Sequence, residues 1–203
     1  MSASEAYLRF LASTVMDYEK WHDGEGYDLS TLQRMTAAER RQVEDLMIER
    51  DIEWREIEVL ESLATSRSWN AIEKAFSIRR SIDTRLAAAT ALHRSGKLSS
   101  PFDEVIADAI LELRTIEPGL TRALLLAEQY PTGRVRKALL RASGEKTAIA
   151  MHCAALLCYL AGKAKEPFAW DLRPLFLRLV PGNDPADRNA AYAELCALVA
   201  MTP

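Results

Sequence analysis

The sequence predicts an all-α protein, an α-solenoid in which antiparallel helix hairpins stack on one another. Two observations predict this fold. Apolar residues recur at intervals of three and four, as at Phe102, Ile106 and Ala109, and such spacing lines one face of a helix. Glycine and proline are few, eight of each in 203 residues, and beyond residue 90 they separate segments of about one helix each. Consecutive helices joined by short connections form antiparallel hairpins.

The apolar spacing and the breaks between segments define a series of predicted helices. Residues 17–35 are predicted to form a loop with a short helix, and residues 163–183 an irregular, packed segment with several aromatic residues. Pairing the helices from residue 36 onward gives units of roughly 30 residues, the period of an α-solenoid. Each hairpin then buries its apolar face against the next one. The predicted helices span residues 4–16, 36–50, 53–64, 68–78, 82–95, 101–114, 118–130, 132–143, 145–161 and 185–200.

Residues at the helix ends support this assignment. Thr36 followed by Glu39 has the spacing of a capping box. Pro101 and Pro118 stand where the first turn of a helix tolerates proline, because its missing N–H would have no intrahelical partner there. Three glycines follow apolar-periodic segments and are predicted to end helices in the left-handed conformation. They are Gly96, Gly144 and Gly162.

Charge and cysteine content limit the class of protein. The chain has 26 basic and 29 acidic residues and a net charge of -3, so no general attraction to nucleic acid or an anionic membrane is expected. The three cysteines are an odd, small number that suits reduced thiols. The N-terminus lacks the pattern of a signal peptide, and the longest mainly apolar stretch, residues 148–162, is too short to span a bilayer comfortably. We therefore expect a cytoplasmic protein that does not bind membranes.

Two stretches resemble a known repeat family. In IDTRLAAATALHRSG, residues 82–96, an acidic residue (Asp83) and a basic one (Arg85) precede a run of alanine and leucine, which is similar to the second helix of a HEAT repeat. The string MHCAALLCYLAGKAKEPFAWDLRPLFLRL, residues 151–179, resembles small bacterial HEAT-like helical-repeat proteins, and the likeness covers most of residues 27–199. The resemblance implies the fold and a protein-binding role. Some proteins of this kind look like immunity partners of bacterial toxins.

The predicted elements divide into three parts of one continuous domain. An N-terminal helix and loop, residues 1–35, cap the array. HEAT-like helical hairpins follow at residues 36–162, and an aromatic cap segment with a C-terminal helix completes the chain at residues 163–203.

The stretch MHCAALLCYL holds His152, Cys153 and Cys158. On one helix the two cysteines point about 140° apart, so they cannot bind the same metal ion from an intact helix. Their alanine and leucine neighbours do not favour a reactive thiolate. We therefore expect buried cysteines in a packed helix, with no metal site and no catalytic residue. Whether His152 lies in the core or faces a groove is left open.

Two groups of residues are candidates for binding a protein partner. Glu49, Glu53 and Glu56 belong to a strongly acidic segment that would steer a basic partner. The alternative is a solvated helix face with intrahelical ion pairs, and the spacing of Glu49 and Glu53 also allows a carboxylate pair for a divalent ion. The second group joins tryptophan to arginine, both frequent at interface hot spots, and its alternative is a cap over the last hairpin. It consists of Trp170, Arg173 and Arg178, with Phe168 and Phe176 nearby.

A short basic run offers a different function. Nucleic-acid binding by a HEAT-like protein, or base excision by a HEAT-like DNA glycosylase, needs a basic groove across several repeats with aromatic residues to hold unstacked bases. The run supplies the charge over one helix only. It consists of Arg134, Arg136, Lys137 and Arg141.

The sequence favours a non-enzymatic protein-binding module that acts as a monomer or homodimer. Its most specific version is an immunity or inhibitor protein for a bacterial toxin, and the nucleic-acid function is the alternative. We expect no cofactor, because the phosphate-binding, nucleophile-elbow and zinc motifs are missing. That absence leaves a carboxylate-dependent metalloenzyme open.

Overall fold

The computed structural model describes residues 3–15, 17–77 and 80–202, apart from the side chain of Trp21. Within these ranges the regular structure is helical and contains no strand, which confirms the predicted all-α class. Two short 3-10 helices lie at Leu29–Arg34 and Trp170–Leu172. The α-helices are α1 (Glu5–Ser13), α2 (Tyr18–His22), α3 (Ala37–Glu49), α4 (Trp54–Leu63), α5 (Ser66–Ser77), α6 (Ile82–Arg94), α7 (Phe102–Glu112), α8 (Pro118–Gln129), α9 (Gly133–Gly144), α10 (Ala150–Leu160), α11 (Arg173–Arg178) and α12 (Pro185–Val199).

Most predicted helices lie within a few residues of the observed ones. The clearest difference is the helix predicted at 145–161, because α10 begins only at Ala150. The chain turns before it, and the N–H of Ala148 donates to the carbonyl of Arg114 instead of continuing a helix. Within the segment predicted as irregular, the structure forms the second 3-10 helix and α11. The predicted ends at Met16 and Ile78 lie outside the described residues.

The capping box at the start of α3 is confirmed. The Thr36 hydroxyl accepts the N–H of Glu39 at 3.2 Å, and the Glu39 carboxylate accepts the N–H of Thr36 at 2.9 Å. The same carboxylate accepts the N–H of Ser4 at 2.7 Å. Since Ser4 is the N-cap of α1, one buried glutamate ties the beginnings of two helices together.

The sequence predicts that three glycines end helices in the left-handed conformation. The prediction is confirmed for two of them and is wrong for the third. Gly96 and Gly162 have φ values of 71° and 69° and end helices in the left-handed region. Gly144 is instead the last residue of α9, without a positive φ. Its role is to let a side chain approach, because a Cβ there would lie 2.9 Å from Cζ of Tyr192.

The contacts group the chain into two compact units, residues 1–97 and 98–203. This division falls inside the segment 36–162 that the sequence analysis treated as one array. The predicted three-part organisation stays a prediction.

In the first unit, α4 contacts α3, α5 and α6, and α3 also contacts α5. Ile57 and Leu60 of α4 are buried, as are Leu86 and the alanines that follow it on α6. The helix α1 packs on the first 3-10 helix and buries Phe10. Small alanine side chains on α6 allow its neighbours to approach closely.

In the second unit, α7 contacts α8 and α9, and α10 contacts α8, α9, α11 and α12. The helix α10 is therefore the centre of this unit, and its residues 153–158 are all buried. No helix in the described part of the chain is both long and apolar enough to cross a membrane.

Candidate functional site

A concave pocket of about 360 Å³ lies in the second unit, beside the N-terminal part of α10. We call it the aromatic pocket. Its walls come from α10, from the segment that precedes the second 3-10 helix, from that 3-10 helix and from α11. The lining residues are Met151, Phe168, Trp170, Arg173, Phe176 and Leu177.

The local sequence explains how α11 presents its side chains. Pro174 lies in the first turn, where helices accept proline. Leu175 and Phe176 are buried, and α11 contacts both α10 and α12. Arg173 and Leu177 are four residues apart and share one face of the helix. Burial of Leu175 and Phe176 therefore fixes α11 in place, and with it the positions of Arg173 and Leu177 at the pocket.

Three apolar side chains around the pocket are exposed. Trp170 is 74% exposed, Leu177 49% and Phe168 40%. Single exposed apolar residues are common on protein surfaces, but a group of them around a concave, buried floor marks an interaction site. The floor is the ring of Phe176, which is 1% exposed.

Arg173 stacks on the tryptophan. Its guanidinium carbon lies 4.7 Å from the centroid of the Trp170 ring, within the range of a cation–π interaction. Among the described residues, Arg173 makes no ion pair. Arg178, five residues later, donates to Asp187 at 2.8 Å and to Glu194 at 2.7 Å. The structure thus brings Trp170 and Arg173 together, while Arg178 braces α11 against α12 and does not line the pocket.

Phe168 holds an unusual backbone conformation. Its φ is 60°, a left-handed value that costs a residue with a Cβ about 1–2 kcal/mol. Its ring meets His152 edge-on at 5.1 Å and Phe176 at 6.1 Å, measured between centroids. Such local strain persists where the surrounding structure requires it and is frequent at functional sites.

The ring of His152 packs edge-on against Phe168. The histidine is half-buried, and its Nε2 atom is buried without a hydrogen-bond partner. Burial lowers its pKa below the usual value, because removal from water disfavours the charged imidazolium. The neutral ring therefore acts as a packing surface for Phe168.

The buried position predicted for two of the cysteines is confirmed. Cys153 and Cys158 are fully buried on α10, and Cys196 is half-buried on α12. Burial raises the pKa of Cys153 to about 12 and that of Cys158 to about 11. Such thiols are not nucleophiles at neutral pH.

The acidic candidates separate into one buried and two exposed residues. Glu56 is buried, and its carboxylate accepts the O–H of Tyr27 at 2.6 Å and the N–H of Glu53 at 3.0 Å. These bonds correct the interpretation of Glu56 as part of an exposed acidic face, because its charge is used inside the unit. Glu49 and Glu53 are exposed at the end of α3 and before α4, and their role with a partner stays a prediction. No group of three metal-binding side chains occurs among the described residues.

The basic candidates lie along an open groove of about 670 Å³ between α7 and α9. Arg134, Lys137 and Arg141 line one side, and acidic residues of α7 face them. Arg134 donates directly to Glu104, and this pairing places negative charge where a phosphate backbone would have to lie. Arg136 donates to the carbonyl of Pro131 at 3.1 Å. The residues that line the groove include no aromatic side chain.

A third concave region lies in the first unit and was not singled out from the sequence. Arg67 reaches Asp45 at 2.7 Å and Glu44 at 3.4 Å. Glu44 is buried and also accepts the hydroxyls of Thr65 and Ser68. This network fixes the start of α5 on α3 beside a groove of about 680 Å³, so the side chains of the network itself serve packing within the first unit.

The aromatic pocket contains residues that the sequence analysis missed. Met151 lies at the start of the apolar helix α10, and no pattern distinguished it from a core residue. Leu177 is four residues after Arg173, so helical spacing would have placed the two on one face once α11 was recognised. The irregular prediction for 163–183 concealed that relation.

No protein-family model, no curated protein and no solved structure matches this chain. Function is therefore argued from the geometry and chemistry of the site.

Proposed function

We propose that this chain is a non-enzymatic, protein-binding helical-repeat module and that its partner docks on the aromatic pocket. The observation that carries the proposal is Trp170, 74% exposed at the edge of a pocket whose floor is already buried. Tryptophan and arginine in a concave, apolar setting are the residues that contribute most to protein interfaces. A pocket formed before binding also lowers the ordering cost of association.

The pattern of helix contacts supports the repeat part of the proposal. In the first unit α3 contacts α5 and α4 contacts α6; in the second, α7 contacts α9 and α8 contacts α10. Contacts between alternate helices, together with those between consecutive ones, are what stacked hairpins produce. We propose on this basis that each unit is a short HEAT-like stack.

An immunity or inhibitor role toward a bacterial toxin is the most specific version of this function. It is supported by the sequence resemblance to small bacterial HEAT-like proteins. The exposed carboxylates of Glu49 and Glu53 would add attraction to a basic toxin. In this proposal the protein acts in the cytoplasm, where its buried thiols stay reduced.

The nucleic-acid alternative has weaker support. The acidic residues of α7 that line the basic groove counter its charge, and the groove offers no aromatic surface for an unstacked base.

Site-specific photo-crosslinking tests the proposal. A photoreactive phenylalanine analogue replaces Leu177 at the pocket or, as a matched control, Leu125, which is 53% exposed on α8. We expect a defined protein adduct from cell extract with the probe at position 177 that is absent at position 125. The adduct should disappear when Trp170→Ala is added, while circular dichroism remains that of the wild type. An adduct that forms equally at both positions, or that survives Trp170→Ala, would contradict docking at the pocket.

A further inference from the structure

The aromatic pocket combines an apolar interior with one cation at its edge. Of its lining residues only Arg173 is charged, and none is acidic. We propose that the partner binds through an acidic segment, an inference that rests on the proposed function. An apolar side chain of this segment enters the pocket, and a neighbouring carboxylate pairs with Arg173. Such a partner matches both the shape and the charge of the surface.

The apolar side chains that line the aromatic pocket indicate that it binds an apolar side chain of the partner. Met151, Phe168 and Leu177 surround the buried ring of Phe176. The volume of about 360 Å³ is at the small end of ligand pockets, which suits one or two side chains of a peptide. Because Phe176 and Leu175 anchor α11 in the core, the pocket exists before a partner arrives.

The preference for an acidic partner is inferred from the ion pairing of Arg173 compared with that of other arginines. Arg178 is already neutralised by Asp187 and Glu194, and Arg134 is paired with Glu104. In the part of the chain that the structure describes, the one charged or aromatic partner of the Arg173 side chain is the face of Trp170. A guanidinium attracted to the face of an aromatic ring still carries N–H donors that the ring does not bind, and these donors suit a carboxylate.

The distance between the two recognition elements suits one short segment. The guanidinium carbon of Arg173 is 4.7 Å from the indole centroid of Trp170, and consecutive Cα atoms are about 3.8 Å apart. An apolar residue against Trp170 and an acidic residue on Arg173 can therefore be adjacent in one peptide. An anionic membrane is the less suitable occupant, because α11 has six residues and interfacial helices present a longer apolar face.

Four capped synthetic tetrapeptides test the inference on the full ¹⁵N-labelled chain. All contain a central Leu-Phe pair, flanked on both sides by Glu, Asp, Gln or Lys. The indole N–H signal of Trp170, assigned by its loss in Trp170→Phe, reports binding. We expect the two acidic peptides to bind with a Kd about two- to fivefold lower than the Gln peptide, the range of an exposed ion pair, and the Lys peptide to bind most weakly. The preference should shrink as salt is added.

Matched variants assign the preference to one residue. Arg173→Gln should make the acidic and Gln peptides bind alike, whereas Arg114→Gln, which removes an exposed arginine outside the pocket, should leave the preference unchanged. Equal binding of acidic and Gln peptides to the wild type would overturn the inference and leave the proposed function standing. Absence of any shift with millimolar peptide would also overturn it, while the crosslinking experiment separately decides the proposed function. Sedimentation with phosphatidylglycerol vesicles that is lost in Trp170→Ala would overturn it in favour of a lipid surface.

Discussion

The ring of Tyr192 on α12 lies directly against Gly144 at the end of α9, where an added Cβ would stand 2.9 Å from the Tyr192 Cζ atom. Carbon atoms do not pack this closely, so any larger residue at position 144 must displace the ring. The glycine is therefore required by the contact between two helices that are far apart in the sequence.

The effect of substituting Gly144 on the free energy of unfolding should change sign when Tyr192 is also substituted. We expect Gly144→Ala to destabilise the protein by about 1 kcal/mol through overpacking. In a Tyr192→Ala background the same change should stabilise it by up to about 1 kcal/mol, because alanine is the better helix former. Urea unfolding of the four proteins measures both effects. A change of the same sign in both backgrounds would refute the steric role of Tyr192.

Glu39 should make the stability depend on pH in the acid range. The N–H groups of Ser4 and Thr36 donate to its carboxylate and lower its pKa from 4.5 to about 2. Because the pKa is lower in the folded state, the stabilisation is fully present above pH 4.5 and is lost as the pH falls toward 2. We expect Glu39→Gln to be less stable than the wild type at pH 7 and equally stable near pH 2. Glu73→Gln, on an exposed site of α5, is the control and should show no such trend in thermal unfolding.

The phenol of Tyr27 should lose its proton only at unusually high pH, and its protonated form should stabilise the first unit. Burial, followed by the hydrogen bond and charge of Glu56, raises its pKa to about 12. Since the folded-state pKa is raised, the stabilisation is present below the usual value of 10 and is lost as the pH rises toward 12. Burial also raises the pKa of Tyr192, so absorbance at alkaline pH should show late-titrating tyrosine, and Tyr27→Phe should remove the part that titrates near pH 12.

The same substitution leaves a buried carboxylate without its strongest donor. We expect Tyr27→Phe to cost about 1–3 kcal/mol at neutral pH, measured by urea unfolding. Tyr7→Phe, at a half-buried residue of α1, is the control and should change the stability little. An equal effect of both substitutions would argue against the role of the Glu56 bond.

The cysteines should differ in their reaction with an aromatic disulfide reagent. Burial raises the pKa of all three thiols, but only Cys196 is accessible in part. We expect slow labelling of Cys196 in the native protein, and labelling of Cys153 and Cys158 only after unfolding. Mass spectrometry of peptides from the labelled protein identifies the site. Native labelling that persists in Cys196→Ser would show that α10 opens.

Local features were predictable because their causes lie within a few residues of one another. The capping box of Thr36 and Glu39 and the left-handed ends at Gly96 and Gly162 each act over one turn of chain. The burial of Cys153 and Cys158 follows from the apolar composition of one helix. Sequence by itself therefore determined the helical class, most helix positions and the inert character of these thiols.

Tertiary structure alone decided which charged and aromatic residues are available to a partner. Glu56 is buried and accepts the O–H of Tyr27, 29 residues away, and Arg178 is neutralised because α12 brings two carboxylates to it. Arg173 forms no ion pair with any described residue and lies beside Trp170. The sequence shows which residues carry charge. Whether a counter-charge lies within about 4 Å depends on contacts between distant segments. Those contacts form only when the helices pack.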